Sequence, residues 1–209
     1  MSRQDKTNIF SGFARAMAQR VRGRSTSSPD DTQPAVIEDT GKPAVQDQPA
    51  YVRPPGAVSE DQFLQVCGGC GSCIAECPYG VIQFLGSEYG SNVEGTPAIL
   101  PAVNPCLLCP DMPCAAACST GGLVPMAPSR VFMGTAVITD DLCVIKAGQD
   151  CEMMCVTKCP LGQDAITVQS ETGMPLVNVR GCTGCGICAH ECPADAINIA
   201  PNRESQRMR

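Results

Sequence analysis

The sequence predicts an α+β protein of short strands and short helices, organised by cysteine rather than by a conventional apolar core. Of its 209 residues, 16 are Cys, a density that ordinary globular domains do not reach. The chain has 5 Phe, 3 Tyr and no Trp, so it carries little bulky apolar material for a core of this length. The cysteines recur in groups, with β-branched runs between them. We therefore expect something other than side-chain packing to fill the interior.

The cysteines form an internal repeat of four groups. The first cysteine of each group stands at position 67, 106, 143 or 182, so successive groups begin 39, 37 and 39 residues apart. Short β-branched runs fall between the groups, at residues 81–82, 99–103, 135–139, 165–168, 176–179 and 196–199. Turn residues such as those at 170–173 indicate hairpins. The predicted unit is a hairpin strand, a cysteine loop, a short helical turn and another strand.

Two of the groups have the spacing C-x2-C-x2-C-x3-C-P. The first comprises Cys67, Cys70, Cys73 and Cys77, and the fourth comprises Cys182, Cys185, Cys188 and Cys192. This is the bacterial ferredoxin run, in which three thiolates converge on one iron-sulfur cluster and the fourth ligates another. Glycines between the ligands let the backbone approach without Cβ clashes. The spacing predicts 4Fe-4S clusters; zinc, which usually binds two separated C-x2-C pairs, is the alternative.

The other two groups are looser versions of the same pattern. The second comprises Cys106, Cys109, Cys114 and Cys118, and the third comprises Cys143, Cys151, Cys155 and Cys159. The third would be a weak signal alone, but its place in the repeat supports it. Four groups of four leave no cysteine over, which predicts four 4Fe-4S clusters with all sixteen cysteines as ligands. Full ligation leaves no iron open to a substrate, so no catalytic residue and no small-molecule substrate are expected.

The segments that targeting would need are not evident in the sequence. We find no run of 18 apolar residues, no signal-peptide pattern and no twin-arginine pair. A cytoplasmic protein is therefore expected, free or peripheral at the membrane, with periplasmic location by export alongside a partner as the alternative. A reducing cytosol disfavours a disulfide scaffold, the remaining alternative for the cysteines.

The charge is divided unevenly along the chain. Residues 1–24 carry six Lys or Arg and one Asp, whereas residues 60–199 carry four basic and fourteen acidic side chains. An acidic body disfavours nucleic acid, whose phosphates need a basic face. It suits redox partners, an electron donor and an acceptor, that present basic docking surfaces.

Composition divides the chain into four segments. Residues 1–24 are a basic segment with apolar residues at helical spacing; a solvated tail, a helix docked on a partner and a helix on an anionic membrane surface all stay open. Residues 25–59 are rich in Pro and predict a disordered linker. Residues 60–200 form the cysteine-bearing domain, with motifs at 67–77, 106–118, 143–159 and 182–192. Residues 201–209 predict a frayed polar tail.

From residue 95 onward the chain resembles the polyferredoxins of the MauM/NapG type, associated with methylamine utilisation and with periplasmic nitrate reductase. The resemblance rests on the PCLLC run at 105–109, the MGTAV run at 133–137 and the CTGCG run at 182–186, and it covers roughly residues 60–200. It implies four 4Fe-4S clusters that pass electrons between a quinol-oxidising membrane partner and a terminal redox enzyme.

Similarity to four-cluster ferredoxin subunits further implies tandem or nested two-cluster ferredoxin-like modules, with outer groups sharing ligands with each other and inner groups likewise. The implied clusters are those of Cys67/Cys70/Cys73/Cys192, Cys182/Cys185/Cys188/Cys77, Cys106/Cys109/Cys114/Cys159 and Cys143/Cys151/Cys155/Cys118. Ligation within each group is the alternative.

The predicted function is that of an iron-sulfur electron carrier. It would relay single electrons between redox partners as a subunit or partner of a membrane-associated redox complex, without catalysis of its own. An iron-sulfur scaffold or assembly protein, and a structural cluster-binding subunit, are the alternatives.

Overall fold

The computed structural model describes residues 50–204. The predicted basic segment 1–24, residues 25–49 of the predicted linker and residues 205–209 lie outside this range. The elements are small, as the sequence predicts. The helices are α1 (Glu60–Val66), α2 (Ser72–Ala75), α3 (Pro113–Ala116), α4 (Met154–Thr157) and α5 (Ile187–His190). The strands are β1 (Ile82–Phe84), β2 (Pro97–Ile99), β3 (Gly134–Ile138), β4 (Ile166–Val168), β5 (Pro175–Val177) and β6 (Ile197–Pro201).

The four short helices begin in the same way, which explains the repeat. Each is preceded by a residue in the left-handed conformation: Gly71, Met112, Met153 and Gly186. A positive φ turns the chain sharply, at little cost for Gly and at some cost for Met. The third cysteine of each group then occupies the second position of its helix. Local geometry therefore fixes how each cysteine loop closes.

The described chain has two halves with matching organisation. In residues 51–124, β1 and β2 form an antiparallel hairpin, and residues 56–58 pair with residues 122–124. In residues 133–203, β4 and β5 form the hairpin, while β3 pairs with β6 along five residues. In the first half α2 lies against α3, and in the second α4 lies against α5. The pairing of β3 with β6 joins residues far apart in sequence, so no local hairpin signal predicts it.

The linker prediction is wrong for its C-terminal end. Val52 is fully buried and forms a β-bridge with Ile99, and Ala57 bridges Leu123. The prolines between them are compatible with this extended course, because Pro restricts φ without preventing burial. Compositional bias therefore predicted disorder where tertiary contacts hold the chain.

A buried cation anchors this segment. Arg53 is 3% exposed, and its guanidinium donates bidentate hydrogen bonds to the Glu60 carboxylate at 2.6 and 3.0 Å. It also donates to Thr96 Oγ1 at 2.8 Å and to the Pro97 carbonyl at 2.9 Å, and it lies over the Phe63 ring. Sequence reasoning missed Arg53, since nothing local indicates that an Arg before two prolines is buried.

The tail prediction also fails at its start. Pro201 belongs to β6, and the backbone N–H of Asn202 donates to the Met133 carbonyl at 2.8 Å. Arg203 reaches the first half, where its side chain lies 3.6 Å from the Glu60 carboxylate and over the Tyr51 ring. The Glu60 carboxyl has a lowered pKa: burial alone would raise it, but Arg53 and Arg203 outweigh that effect. The polar residues at 202–203 therefore close one half onto the other.

The core combines apolar side chains with the cysteines. Phe63 of α1, a helix that the sequence pattern did not predict, is among the largest fully buried side chains, with Met112 and Met133. Cysteines of all four groups belong to the same buried cluster or pack against it. Within residues 50–204 no helix is both long and apolar enough to cross a membrane.

Candidate iron-sulfur cluster sites

Two sets of four cysteines, called quartets 1 and 2, line cavities in the first half. Quartet 1 is Cys67, Cys70, Cys73 and Cys118. Quartet 2 is Cys77, Cys106, Cys109 and Cys114. Each therefore takes three cysteines from one group and the fourth from the other group of the same half.

The second half repeats this exchange. Quartet 4, which is Cys143, Cys151, Cys155 and Cys192, lines a third cavity. Quartet 3 is the remaining set, Cys159, Cys182, Cys185 and Cys188. This set follows by elimination from the other three, and Cys188 and Cys185 both lie within electrostatic range of Cys159 and Cys182.

This grouping corrects the pairing that the family resemblance implied. Cys192 was expected to complete the set of Cys67, but it lines the cavity of Cys143, Cys151 and Cys155. Cys118 takes the place beside Cys67 instead. The physical reason is the strand pairing: the hairpin of each half brings two consecutive groups together, so each group exchanges its fourth cysteine with its neighbour in sequence. Ligation within each group is equally inconsistent with the lining of these cavities.

Burial raises the pKa of several of these thiols. It raises the pKa of Cys106 and of Cys188 to about 12, with a further contribution from neighbouring thiols. It raises the pKa of Cys73, Cys114 and Cys155 to about 11 in the same way. Like charges that are both buried and close cannot be maintained unless a cation compensates them. A bound iron centre would supply that positive charge and hold the sulfurs as thiolates.

Several sulfurs already accept hydrogen bonds from the backbone. The donor–acceptor distances are 3.3 to 3.4 Å, and the N–H groups are those of Leu123 to Cys118, Ala136 to Cys182, Met153 to Cys151, and Ala196 to Cys192. Hydroxyl groups of Ser72 and Thr120 lie 3.4 and 3.5 Å from Cys70 and Cys118. Hydrogen bonds to ligand sulfur stabilise the more negative reduced state, so they tune the potential of a bound cluster.

The residues present fit 4Fe-4S clusters. Each quartet offers four sulfur donors, the ligand set that such clusters require. None of the sixteen cysteines is in a disulfide. The loops approach closely enough that a Cβ on Gly69 would lie 3.0 Å from the Gly95 carbonyl oxygen, and Gly69 has a φ of +64°. Gly69 therefore serves the wrapping role that the sequence predicts.

Thiols gathered in fours by short hairpins and helices, six of the sixteen of them buried, define a protein of the iron-sulfur, ferredoxin type. Comparison with known proteins agrees, since residues 175–198 match the family model described as a 4Fe-4S binding domain. The chain is 39% identical over 162 residues to the methylamine utilization ferredoxin-type protein MauM of Paracoccus denitrificans (strain Pd 1222), covering 72% of this chain and 71% of that protein. It is 35% identical over 164 residues to the ferredoxin-type protein NapG of Escherichia coli (strain K12), covering 72% and 70%.

The chain belongs to the MauM/NapG family of ferredoxin-type proteins. It is thus an iron-sulfur electron-transfer protein, as the sequence predicts. A similar MauM protein of Methylorubrum extorquens is 38% identical over 162 residues, covering 72% of each chain.

Proposed function

We propose that this protein holds four 4Fe-4S clusters in two tandem two-cluster modules and relays single electrons between redox partners. The observation that carries the proposal is that three cavities are each lined by four cysteines, which leaves four further cysteines for a fourth site. The matching strand pairings of the two halves support the tandem arrangement over a nested one.

The protein's own residues would position and insulate the redox centres. A 4Fe-4S cluster supplies one-electron chemistry, in which no bond to a substrate is made or broken. The cysteines would hold the centres, and the backbone N–H groups at Cys118, Cys151, Cys182 and Cys192 would tune their potentials. The buried side chains around them exclude water.

Anaerobic purification of the full chain tests the cluster number. We expect about 16 iron and about 16 acid-labile sulfide per chain, because a 4Fe-4S cluster contains four of each. Potentiometric EPR should then show several reducible S = 1/2 signals. Zinc without sulfide would refute the proposal, and about half of the expected iron would reduce it to one two-cluster module.

We also propose that a redox partner with a basic face docks near quartet 4. Leu142 and Leu176 are 53% and 50% exposed there. Their sequence neighbours Cys143 and Pro175 line the quartet 4 cavity. Exposed acidic side chains accompany these apolar ones: Asp140, Asp141, Asp150, Glu152 and Glu171. Four oxidised clusters would add a charge of about −8 to this acidic body, which strengthens attraction to a cationic partner.

The docking proposal predicts that electron transfer weakens as ionic strength rises. With horse-heart cytochrome c as the basic acceptor, the second-order rate constant should fall steeply between low and 0.5 M salt, an effect of screening. Replacement of Asp140 and Glu171 by their amides should slow the low-salt reaction several-fold. The matched control is Glu88→Gln with Glu94→Gln, in the loop of the other half. Equal effects of the two double variants would contradict docking at quartet 4.

We also make proposals about the redox pathway and the cellular location of the protein. Because relatives are named for methylamine utilization, we propose that the chain serves as an electron-transfer subunit or partner of an oxidoreductase. A cytoplasmic location, with membrane contact through residues 1–24, stays a prediction. Fractionation of cells that express the full chain, compared with a chain lacking residues 1–24, would test it.

A further inference from the structure

Each half of the described chain brings two quartets together. Cys73 of quartet 1 lies on α2 and Cys114 of quartet 2 on α3. In the second half, Cys155 of quartet 4 lies on α4 and Cys188 of quartet 3 on α5. The packing of α2 against α3 and of α4 against α5 brings the same quartets together. What remains is how the two halves connect.

One junction joins quartet 2 to quartet 3. The backbone N–H of Cys106 donates to the Cys185 carbonyl at 3.0 Å, so ligand loops of the two halves are hydrogen-bonded directly. Next to it, a Cβ on Gly186 would lie 2.3 Å from the Cβ of Pro101. His190 Nδ1 lies 3.2 Å from the Ala102 carbonyl oxygen at the same place. This junction, defined by residues 101–106 and 185–190, requires a residue without a side chain at position 186.

Burial of the cysteines distinguishes quartets 2 and 3, which meet at the junction, from quartets 1 and 4. Quartets 2 and 3 each contain two buried cysteines, which are Cys106, Cys114, Cys182 and Cys185. Quartets 1 and 4 each contain one, Cys73 and Cys155, and Cys70 of quartet 1 is exposed. The outer quartets are therefore closer to solvent, where a partner protein can approach, and the inner ones are shielded.

We propose that the junction of Cys106 and Cys185 is the electrical connection between the two halves, so that electrons travel through quartets 1, 2, 3 and 4 in that order or its reverse. The inference rests on the proposed function. Cys106 and Cys185 would hold the two centres that exchange the electron, and the single electron given up by one centre would be taken up by the other. No proton or bond is exchanged. Donor and acceptor then dock at opposite ends of the molecule.

Gly186→Ala in the full chain tests the junction. The added Cβ meets Pro101, so the two halves must separate locally. Gly71→Ala is the matched control, because Gly71 occupies the equivalent position before α2 and has a similar positive φ of +76°. Its Cβ would meet only the Phe84 ring, at 3.3 Å, and Phe84 is a half-exposed side chain that can move. Both variants carry the same kind of backbone strain, but only one disturbs the junction.

The readouts are iron content and the spin–spin interaction seen by EPR in the fully reduced protein. We expect both variants to retain the wild-type iron content, and only Gly186→Ala to lose the splitting that arises between the two halves. Unchanged splitting in a fully loaded Gly186→Ala protein would overturn the junction. Zinc without acid-labile sulfide in the wild-type chain would instead refute the proposed function.

Removal of single clusters gives a second test that does not depend on Gly186→Ala retaining its clusters. Cys109→Ala removes the quartet 2 centre and should leave quartet 1 with an uncoupled signal, while quartets 3 and 4 remain coupled. Cys70→Ala removes the quartet 1 centre and should leave the other three coupled. If quartet 1 remains coupled in Cys109→Ala, the linear order is wrong.

Discussion

The double variant Cys67→Ala/Cys118→Ala is expected to lose only one cluster, retaining about 12 of 16 iron atoms per chain. Both cysteines line the same cavity, so the second substitution removes a ligand from a site that the first has already destroyed. The effects of two changes at one site are non-additive for this reason. Iron and sulfide analysis of the anaerobically purified single and double variants provides the measurement.

Cys67→Ala/Cys192→Ala is the matched control, since it also removes two thiols. These cysteines line different cavities, so we expect two clusters to be lost and about 8 iron atoms to remain. The pairing of outer groups would reverse the two results. Ligation within each group would cost two clusters in both double variants, so the three arrangements give three different outcomes.

Arg53→Met is expected to destabilise the protein by about 3 kcal/mol, because it leaves the mostly buried Glu60 carboxylate without its bidentate partner. Arg203 remains only at 3.6 Å. A loss of this size should lower the midpoint of thermal unfolding by roughly 6 to 12 °C at a fixed scan rate. Because Arg53 also holds the Pro97 carbonyl, and Pro97 lines the quartet 1 cavity, the quartet 1 signal should disappear first on heating.

Lys146→Met provides the control, since it breaks an ion pair of 2.6 Å that is exposed on both sides. We expect no measurable change in its thermal midpoint, because exposed pairs contribute little. Arg53→Lys keeps the charge but not the planar bidentate geometry, so its midpoint should fall between those of wild type and Arg53→Met. If Arg53→Met is no less stable than Lys146→Met, the buried anchor has no structural role.

The short-range features were predictable because they depend on neighbouring residues. The β-branched runs at 81–82, 135–139 and 196–199 overlap β1, β3 and β6, and the turn at 170–173 separates β4 from β5. The cysteine spacing likewise predicts loops that close on a short helix. By contrast, α1 and the burial of Val52 and Arg53 have no local signal. Val52 and Arg53 are buried through contacts with β2. The first residue of α1, Glu60, is hydrogen-bonded to Arg203 near the end of the described chain.

By itself, the sequence determined that this is an iron-sulfur protein of the ferredoxin type, because ligand identity and spacing are local properties of the chain. Which cysteines share a cavity was decided only by the tertiary structure. The two halves bring consecutive groups together, so Cys118 joins Cys67 and Cys192 joins Cys143. The contact of Gly186 with Pro101 is likewise a property of the folded chain. Such pairings arise between residues distant in sequence, and no spacing rule along the chain can specify them.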